Sequence, residues 1–297
     1  SPIAAGDKGG QAFDQIKLYE MEIPRLFYSN LFNIITNGVS LLYGATRSPS
    51  AFWAEWRDPW PRTVADFKNK FELGLWSLLE PSRLLNILAH FVVFEKDEKN
   101  GALIKKVCRY QQFRAVNKIA ERVLEDRTSG QRKGLVWHTQ GSGKSLTMAY
   151  AVLRLKLHLD ISAGTLASPN ILVITDRVDL DDQISKTFVA CGLPNPLHAD
   201  TAAKLFEYIH SGTSGLTVLS TIFKLDKSHQ PVADSRRWII CADEAHRTQE
   251  KDLGAYLRKT FPDAYFFGFT GTPVQSGSHD TYATFSPDGE HYLDKYG

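Results

Sequence analysis

One run of the sequence has the residue types needed to hold the phosphates of a nucleotide. It lies between an apolar stretch of strand length and a stretch that favours a helix. Glycines let backbone N–H groups turn toward phosphate oxygens, and the N-terminus of the following helix adds partial positive charge. Lys144 would reach the β- and γ-phosphates of ATP, and the Ser145 hydroxyl would bind Mg²⁺. The predicted phosphate loop is Gly141, Ser142, Gly143, Lys144 and Ser145. The strict GxxxxGK[ST] pattern has glycine where this sequence has His138.

A second run, Asp243-Glu244-Ala245-His246, follows the apolar stretch Trp238–Ala242. In an open parallel sheet, the carboxyl ends of the strands face the ligand crevice. Asp243 would hold Mg²⁺ through water, and Glu244 would orient or deprotonate the water that attacks ATP. His246 would sense the γ-phosphate. The alternative is an exposed polar loop without a catalytic role.

Thr270-Gly271-Thr272-Pro273 follows a third apolar stretch. The hydroxyls of Thr270 and Thr272 would hydrogen-bond His246 or Glu244 and pass on the nucleotide state, whereas a simple Gly-Pro turn is the alternative. We expect Lys144 and Asp243 to meet across neighbouring strand ends around one magnesium–triphosphate.

Short apolar runs alternate with helical stretches from about residue 105 onward, which predicts an α/β fold. A parallel sheet with helices on both faces gives this alternation. The predicted strands are Gly134–His138, Asn170–Thr175, Gly215–Ser220, Trp238–Ala242 and Tyr265–Thr270, and the predicted helices are 111–126, 143–158 and 179–190.

Before residue 105 the pattern is different. It predicts a helix at 12–22 that Pro24 ends, and a strand at 31–36 that turns at Asn37-Gly38 into a partner strand at 39–43. Trp53, Trp56 and Trp60 would pack in a core, although tryptophans also stack on bases. The charged run Glu95–Lys99 is typical of a solvated linker.

Composition excludes several classes of protein. The 297 residues carry a formal net charge of +2, so total charge gives no argument for a nucleic-acid partner. Three separated cysteines form neither a disulfide scaffold nor a zinc motif, and we expect buried thiols. No apolar run has the length of a membrane span, and the first residues do not resemble a signal peptide. The first residue is not Met, so we expect a piece of a longer chain.

The motifs together resemble the first motor domain of superfamily 2 helicases and translocases, and within them the R (restriction and motor) subunits of type I restriction enzymes. The segments that carry this resemblance are Trp137–Ser145, Asp176–Gln183 and Asp243–Gln249. Histidine at position 138 is usual in that family. Arg109–Phe113 resembles the adenine-contacting segment, which implies Gln112 as the adenine contact and Gln111 as the next candidate.

Gln15 and Tyr19 resemble the QxxxY motif that follows the catalytic core of this family's PD-(D/E)xK nuclease domain. A helix-face glutamine and a buried tyrosine are the alternative. The acidic metal ligands of such a nuclease would lie outside this chain. The resemblance therefore implies a partial nuclease domain at 1–65, a linker at 66–104 and the first RecA-like domain at 105–297.

The resemblance further implies ATP and Mg²⁺ as cofactors, double-stranded DNA as substrate, and the methylation and specificity subunits as partners in the cytoplasm. Arg177 and Lys224 are the candidate contacts to DNA phosphates. Two other hypotheses stay open. One is a superfamily 2 helicase or remodelling ATPase without nuclease activity, and the other is a nucleotide-binding scaffold that does not turn ATP over.

Overall fold

The computed structural model divides the chain into two compact units. The first contains residues up to Arg114 together with Ala190–Gly192, and the second contains Ala115–Val189 and Leu193–Gly297. The structure describes residues 10–96, 101, 103–125, 128–157, 168–175, 178–193, 196–221, 224, 230–245, 253–273, 281, 285–287 and 290–297. The predicted assignment of 1–65, 66–104 and 105–297 to a nuclease part, a linker and a motor stays a prediction.

The first unit begins with the helix and the hairpin that the sequence predicts. Helix α1 (Gly10–Glu22) ends before Pro24, whose missing N–H suits the start of the short 3-10 turn that follows. Strands β1 (Phe32–Thr36) and β2 (Leu41–Ala45) pair antiparallel. Gly38 takes a φ of 79° in the turn between them, a conformation that glycine adopts without strain.

Regular elements lie within residues 66–104. They are α2 (Lys70–Leu79), α3 (Pro81–His90), β3 (Val92–Lys96) and β4 (Leu103–Val107), and β3 and β4 form an antiparallel hairpin. Side-chain caps start both helices: Asn69 accepts from Glu72 N, and Glu80 accepts from Arg83 N. The start of the charged run lies in β3, where Glu95 forms an ion pair with Lys106 of β4.

Tryptophans form part of the core of the first unit, as predicted for Trp53 and Trp56. Both are buried, and the Trp56 ring lies 5.6 Å from the ring of Tyr43 and 5.3 Å from that of Phe113. The Arg83 guanidinium lies 4.8 Å from the Phe113 ring centroid and donates to the Ser77 carbonyl. Burial lowers the pKa of Arg83 to about 10. The cation remains charged at neutral pH and binds aromatic faces within this core.

The second unit is built on one sheet of seven parallel strands in the order β11-β5-β10-β9-β6-β8-β7. The strands are β5 (Lys133–His138), β6 (Asn170–Thr175), β7 (Leu197–His198), β8 (Thr217–Thr221), β9 (Trp238–Asp243), β10 (Tyr265–Thr270) and β11 (Asp294–Tyr296). The helices are α4 (Tyr110–Leu124), in which the division between the units falls, α5 (Lys144–Leu157), α6 (Val178–Ala190), α7 (Ala202–Ile209) and α8 (Leu253–Thr260).

Helices cover both faces of this sheet, which confirms the predicted fold class. Every residue of the four strands β6, β8, β9 and β10 is buried. On one face, Leu205 of α7 and Leu257 of α8 belong to a single buried cluster with strand residues. On the other face, Tyr265 donates to the Val123 carbonyl of α4, and Lys156 of α5 donates to the Thr217 hydroxyl. A sheet buried on both faces explains why its strands are continuous apolar runs.

The strand order corrects one expectation. The strands that precede the phosphate loop and the acidic pair, β5 and β9, are not neighbours, because β10 pairs with both. The three carboxyl ends still lie side by side at one edge of the sheet. The loop after β10 therefore lies between the two motifs, which the sequence analysis expected on adjacent strands.

Candidate active site

The predicted phosphate loop lies between β5, which ends at His138, and α5, which begins at Lys144. Gly141 and Gly143 have φ values of 80° and 83°, in the region that side chains rarely adopt. Thr147 N and Thr147 Oγ1 donate to the Gly143 carbonyl at 2.9 and 3.1 Å and complete the first turn of α5. The backbone conformation of the loop therefore favours glycine at both positions.

Polar groups of this loop suit an anion. The Ser142 hydroxyl oxygen is buried and has no hydrogen-bond partner among the described residues. Buried polar atoms are nearly always paired, so this atom is suited to a ligand. Ser145 and Lys144 are half-buried at the N-terminus of α5, where the backbone N–H groups and the helix dipole favour negative charge. These residues fit a nucleotide triphosphate.

The acidic pair lies at the end of β9. Asp243 is buried, and its Oδ1 accepts a 3.0 Å hydrogen bond from Glu244 N. Glu244 has a φ of 45°, a strained backbone conformation for a residue with a side chain. Ala245 N donates to the Phe269 carbonyl of β10 at 3.0 Å and holds this turn in place. Strain of this kind concentrates at functional sites, because the surrounding structure must maintain it.

The loop and the acidic pair come together in space. Lys144 Nζ lies 3.9 Å from Glu244 Oε1. Gly271, which follows β10, lies against both: a Cβ there would stand 3.4 Å from Lys144 Nζ and 3.4 Å from Gln140 N of the loop. Trp137 Nε1 donates to the Gly271 carbonyl at 3.2 Å. Three segments far apart in the sequence thus form one site around the Lys144 ammonium group.

Thr270 and Thr272, the predicted coupling residues, flank this glycine. Thr270 is fully buried, and its hydroxyl accepts a 3.2 Å hydrogen bond from Thr272 N, while Thr272 is exposed. His246 lies outside the described residues, so its expected contact with them stays a prediction. The placement of both threonines next to Gly271 suits a role in reading the site.

The other predicted site residues lie in several places. Gln111 and Gln112 are buried in α4, and Gln112 Oε1 accepts from Arg109 N at 2.8 Å. Lys224 is half-buried. Arg177 lies outside the described residues. The roles of these four residues stay predictions.

The QxxxY pair lies on α1 in the first unit. Gln15 Nε2 donates to the Tyr19 hydroxyl at 2.7 Å, and Tyr19 is 39% exposed. Tyr19 is therefore not buried, and the role of the pair stays a prediction. The next residue, Glu20, is buried and accepts from Arg47 N at 2.8 Å and from Lys17 Nζ at 2.8 Å. The sequence analysis did not single out this carboxylate.

The sequence analysis also missed a polar cluster beside the phosphate loop, formed by the buried side chains of His138 and Asp294 and the partly exposed Lys118. His138 Nε2 lies 2.8 Å from Asp294 Oδ2, and Lys118 Nζ lies 3.2 Å from Asp294 Oδ1. The available signal was the departure of His138 from the strict glycine pattern. Its partner is 156 residues away in the sequence, so no spacing could have indicated the pair.

The three cysteines are buried, as expected. Burial raises the pKa of Cys191 to about 11 and that of Cys241 to about 12, and it also raises the pKa of Cys108. Reactive thiols have low pKa values, so these thiols are unsuited to nucleophilic chemistry at neutral pH. Within the described part of the chain, no helix is both long and apolar enough to cross a bilayer.

Comparison with known proteins gives the family. Residues 111–297 match the family model of the SWI2/SNF2 ATPase. The type I restriction enzyme HindI endonuclease subunit of Haemophilus influenzae is 32% identical over 306 residues, which cover 93% of this chain and 28% of that protein. The SsaAORF53P endonuclease subunit of Staphylococcus saprophyticus, also from a type I restriction enzyme, is 27% identical over 277 residues, which cover 89% of this chain and 27% of that protein.

Among solved structures, the SWI2/SNF2 ATPase core of Sulfolobus solfataricus in complex with double-stranded DNA matches 60% of this chain and 35% of that chain, with 14% identity and a TM-score of 0.42. This chain spans less than a third of the length of the two curated relatives. Because the family model covers more than half of the 297 residues, the chain belongs to the SWI2/SNF2 ATPase family, and its curated relatives are endonuclease subunits of type I restriction enzymes.

Proposed function

We propose that this chain is the ATP-binding motor part of a type I restriction endonuclease subunit, which moves double-stranded DNA at the expense of ATP and couples that movement to cleavage. The observation that carries the proposal is the 3.9 Å distance between Lys144 Nζ and Glu244 Oε1, with Gly271 against the lysine. The names of the curated relatives support the restriction enzyme and its endonuclease activity. Since the chain spans less than a third of those proteins, the activity of the whole subunit is part of the proposal.

The phosphate loop binds ATP in this proposal. The backbone N–H groups from Gly141 to Gly143 and the Lys144 ammonium hold the phosphates. The Ser142 hydroxyl, which has no partner in the described part of the chain, gains a hydrogen bond. Ser145 and Asp243 would hold Mg²⁺, which neutralises phosphate charge when it is bound. The adenine contacts, Gln112 and then Gln111, are proposed from the family resemblance.

Glu244 acts on the attacking water. Its left-handed backbone fixes the carboxylate at the end of β9, beside Lys144. The lysine and the carboxylate attract each other, and a triphosphate offers the lysine a stronger negative partner. Binding of ATP would therefore draw Lys144 toward the phosphates, and Glu244 would orient or deprotonate water. Thr270, Thr272 and His246 would carry the state of this site to the DNA-binding surface.

DNA and the remaining subunits complete the proposal. Arg177 and Lys224 would contact the phosphate backbone, which gives a grip that does not depend on base sequence. Gln15 and Tyr19 would belong to the nuclease domain. Target choice would come from the specificity and methylation subunits, and the assembly would work in the cytoplasm, where its DNA and ATP are found.

The decisive experiment measures ATP hydrolysis by the full-length subunit, with and without duplex DNA. It also measures displacement of the third strand of a DNA triplex, which reports movement along the duplex, and cleavage of the duplex. We expect DNA-stimulated hydrolysis and strand displacement, and we expect both to disappear in Lys144→Ala. The SWI2/SNF2 match also accommodates a helicase or remodelling ATPase without nuclease activity. Hydrolysis and displacement without cleavage in the assembled complex would favour that alternative, and absence of hydrolysis would leave only a nucleotide-binding scaffold.

A further inference from the structure

His138 stands where the strict phosphate-loop pattern has glycine, yet its backbone has no need of a glycine. The non-glycine residues with positive φ in the described part of the chain are Arg47, Ser168 and Glu244, so His138 has an ordinary conformation. Its side chain is fully buried at the end of β5. The histidine therefore leaves the turn of the loop unobstructed, and its imidazole is used elsewhere.

The imidazole binds a buried carboxylate. His138 Nε2 lies 2.8 Å from Asp294 Oδ2 of β11, and both side chains have no exposed surface. Lys118 of α4 completes the group, with Nζ 3.2 Å from Asp294 Oδ1 and 3.1 Å from the Leu293 carbonyl. An ionised carboxylate only accepts hydrogen bonds, so Nε2 carries the proton in this pair. His138 Nδ1 has no partner among the described residues, so Asp294 is the ring's hydrogen-bond partner there.

Strand β11 in turn holds the first residue of the loop. Thr139 N donates to the Tyr296 carbonyl at 3.0 Å, and Tyr296 pairs in register with His138. β11 has three residues and pairs with β5 alone in the sheet order. A short edge strand with few backbone hydrogen bonds opens easily. The attachment of β11 to β5 beside the phosphate loop therefore depends on the side chains that bind β11.

The energetics make this attachment cooperative. A buried carboxylate is costly unless it is paired and hydrogen-bonded, and removal of one partner leaves the others unsatisfied. Loss of His138 would remove the hydrogen bond between its Nε2 and Asp294 Oδ2. The nearest way to restore solvation is for β11 to move away from β5, which would release Thr139 N.

We propose that His138 is a positioning residue for the phosphate loop: through Asp294 and Lys118 it fixes β11, and β11 holds the loop at Thr139 in the shape that binds a triphosphate. This inference rests on the proposed function, because it assumes that the loop binds ATP. It assigns the histidine a role that glycine in the strict pattern cannot perform.

The test measures the affinity of the full-length protein for a fluorescent ATP analogue with Mg²⁺. His138→Gly restores the strict pattern but removes the hydrogen bond, and we expect its affinity to fall about tenfold, within the range for coupled buried groups. His138→Gln places an amide N–H at a reach similar to Nε2, so we expect it to regain most of the lost affinity. The double variant His138→Gly with Asp294→Asn should lose little more affinity than the weaker-binding of the two single variants.

Glu290→Gln is the matched control. It breaks the 2.9 Å pair between Glu290 and Arg122 in the same C-terminal segment, away from the loop. We expect this variant to unfold more easily and to bind the analogue like the parent protein. If His138→Gly does not fold, Asp294→Asn provides the same comparison with Glu290→Gln.

Three results would overturn the inference while the proposed function stands. They are an unchanged affinity in a folded His138→Gly, an equal loss in Glu290→Gln, and a His138→Gln that binds as weakly as His138→Gly. Failure of the parent protein to bind the analogue, or equal binding by Lys144→Ala, would count against the proposed function instead.

Discussion

The two candidate functional regions of the chain differ in how their residues are brought together. In the second unit, the phosphate loop, Gly271 and the acidic pair come from three strands and meet around Lys144 Nζ. In the first unit, Gln15 and Tyr19 lie on one exposed face of α1 and bond each other. A site made by distant segments requires the whole sheet, whereas a pair four residues apart requires only one helix. The site in the second unit is therefore much stronger evidence for chemistry than the Gln15–Tyr19 pair in the first unit.

The largest test of this contrast is Lys144→Ala. Removing the ammonium group takes away the cation 3.9 Å from Glu244 Oε1, and ATP hydrolysis by the full-length subunit should fall on the order of 10³-fold, with a loss of ATP binding. Hydrolysis is measured by phosphate release with duplex DNA present. Lys204→Ala, which removes an exposed lysine of α7, is the matched control and should leave the rate unchanged. A fully active Lys144→Ala would remove the contrast between the regions.

Glu244→Gln sharpens the contrast within the second unit. The amide keeps the shape of the carboxylate but cannot accept a proton, so turnover should fall on the order of 10²-fold while ATP affinity is kept. Single-turnover hydrolysis and analogue binding are measured on the same preparation. Normal turnover would show that the strained backbone at Glu244 has another purpose.

Two glycines allow the same change in each region. A Cβ at Gly268 would lie 2.8 Å from Ala245 Cβ, next to the acidic pair, and a Cβ at Gly44 would lie 2.5 Å from the Trp53 ring. Overpacking of this kind costs about 1–3 kcal/mol of unfolding free energy. Gly268→Ala should also weaken ATP binding, and Gly44→Ala should not. Thermal unfolding and analogue titration check both variants, and equal binding losses would contradict the assignment of the site to the second unit.

Tyr19→Phe tests the first region. It removes one exposed hydrogen bond, so the free energy of unfolding should change by less than about 0.5 kcal/mol and ATP hydrolysis should stay the same. If the nuclease proposal is right, DNA cleavage by the assembled complex falls in the same variant. Unaltered cleavage in both Tyr19→Phe and Gln15→Ala would leave the pair with a structural role alone.

The smallest effect concerns the thiols. Burial raises the pKa of Cys241 from 9.0 to about 12, so the folded state holds this proton more tightly than the unfolded state does. The resulting stability is fully present below about pH 9 and is lost as pH rises from 9 toward 12. Urea unfolding across this range should show a shallower alkaline decline in Cys241→Ala than in the parent. Identical slopes would mean that other groups govern the decline.

The sequence by itself determined the local parts of this protein. Apolar runs of strand length predicted the five strands β5, β6, β8, β9 and β10, because a parallel sheet covered on both faces buries every residue of a strand. The loop motif predicted the turned backbone at Gly141 and Gly143, and Pro24 predicted the end of α1. Each of these features depends on neighbours in the chain, which the sequence displays directly.

Only the tertiary structure decided which segments meet. It inserted β10 between β5 and β9, brought Lys144 to Glu244, and buried His138 against Asp294. It also paired β3 with β4 in an antiparallel hairpin. Strand order and buried ion pairs depend on the packing of the whole sheet. No local spacing specifies them, because the free energy of a contact between residues 156 positions apart depends on every element that holds them together.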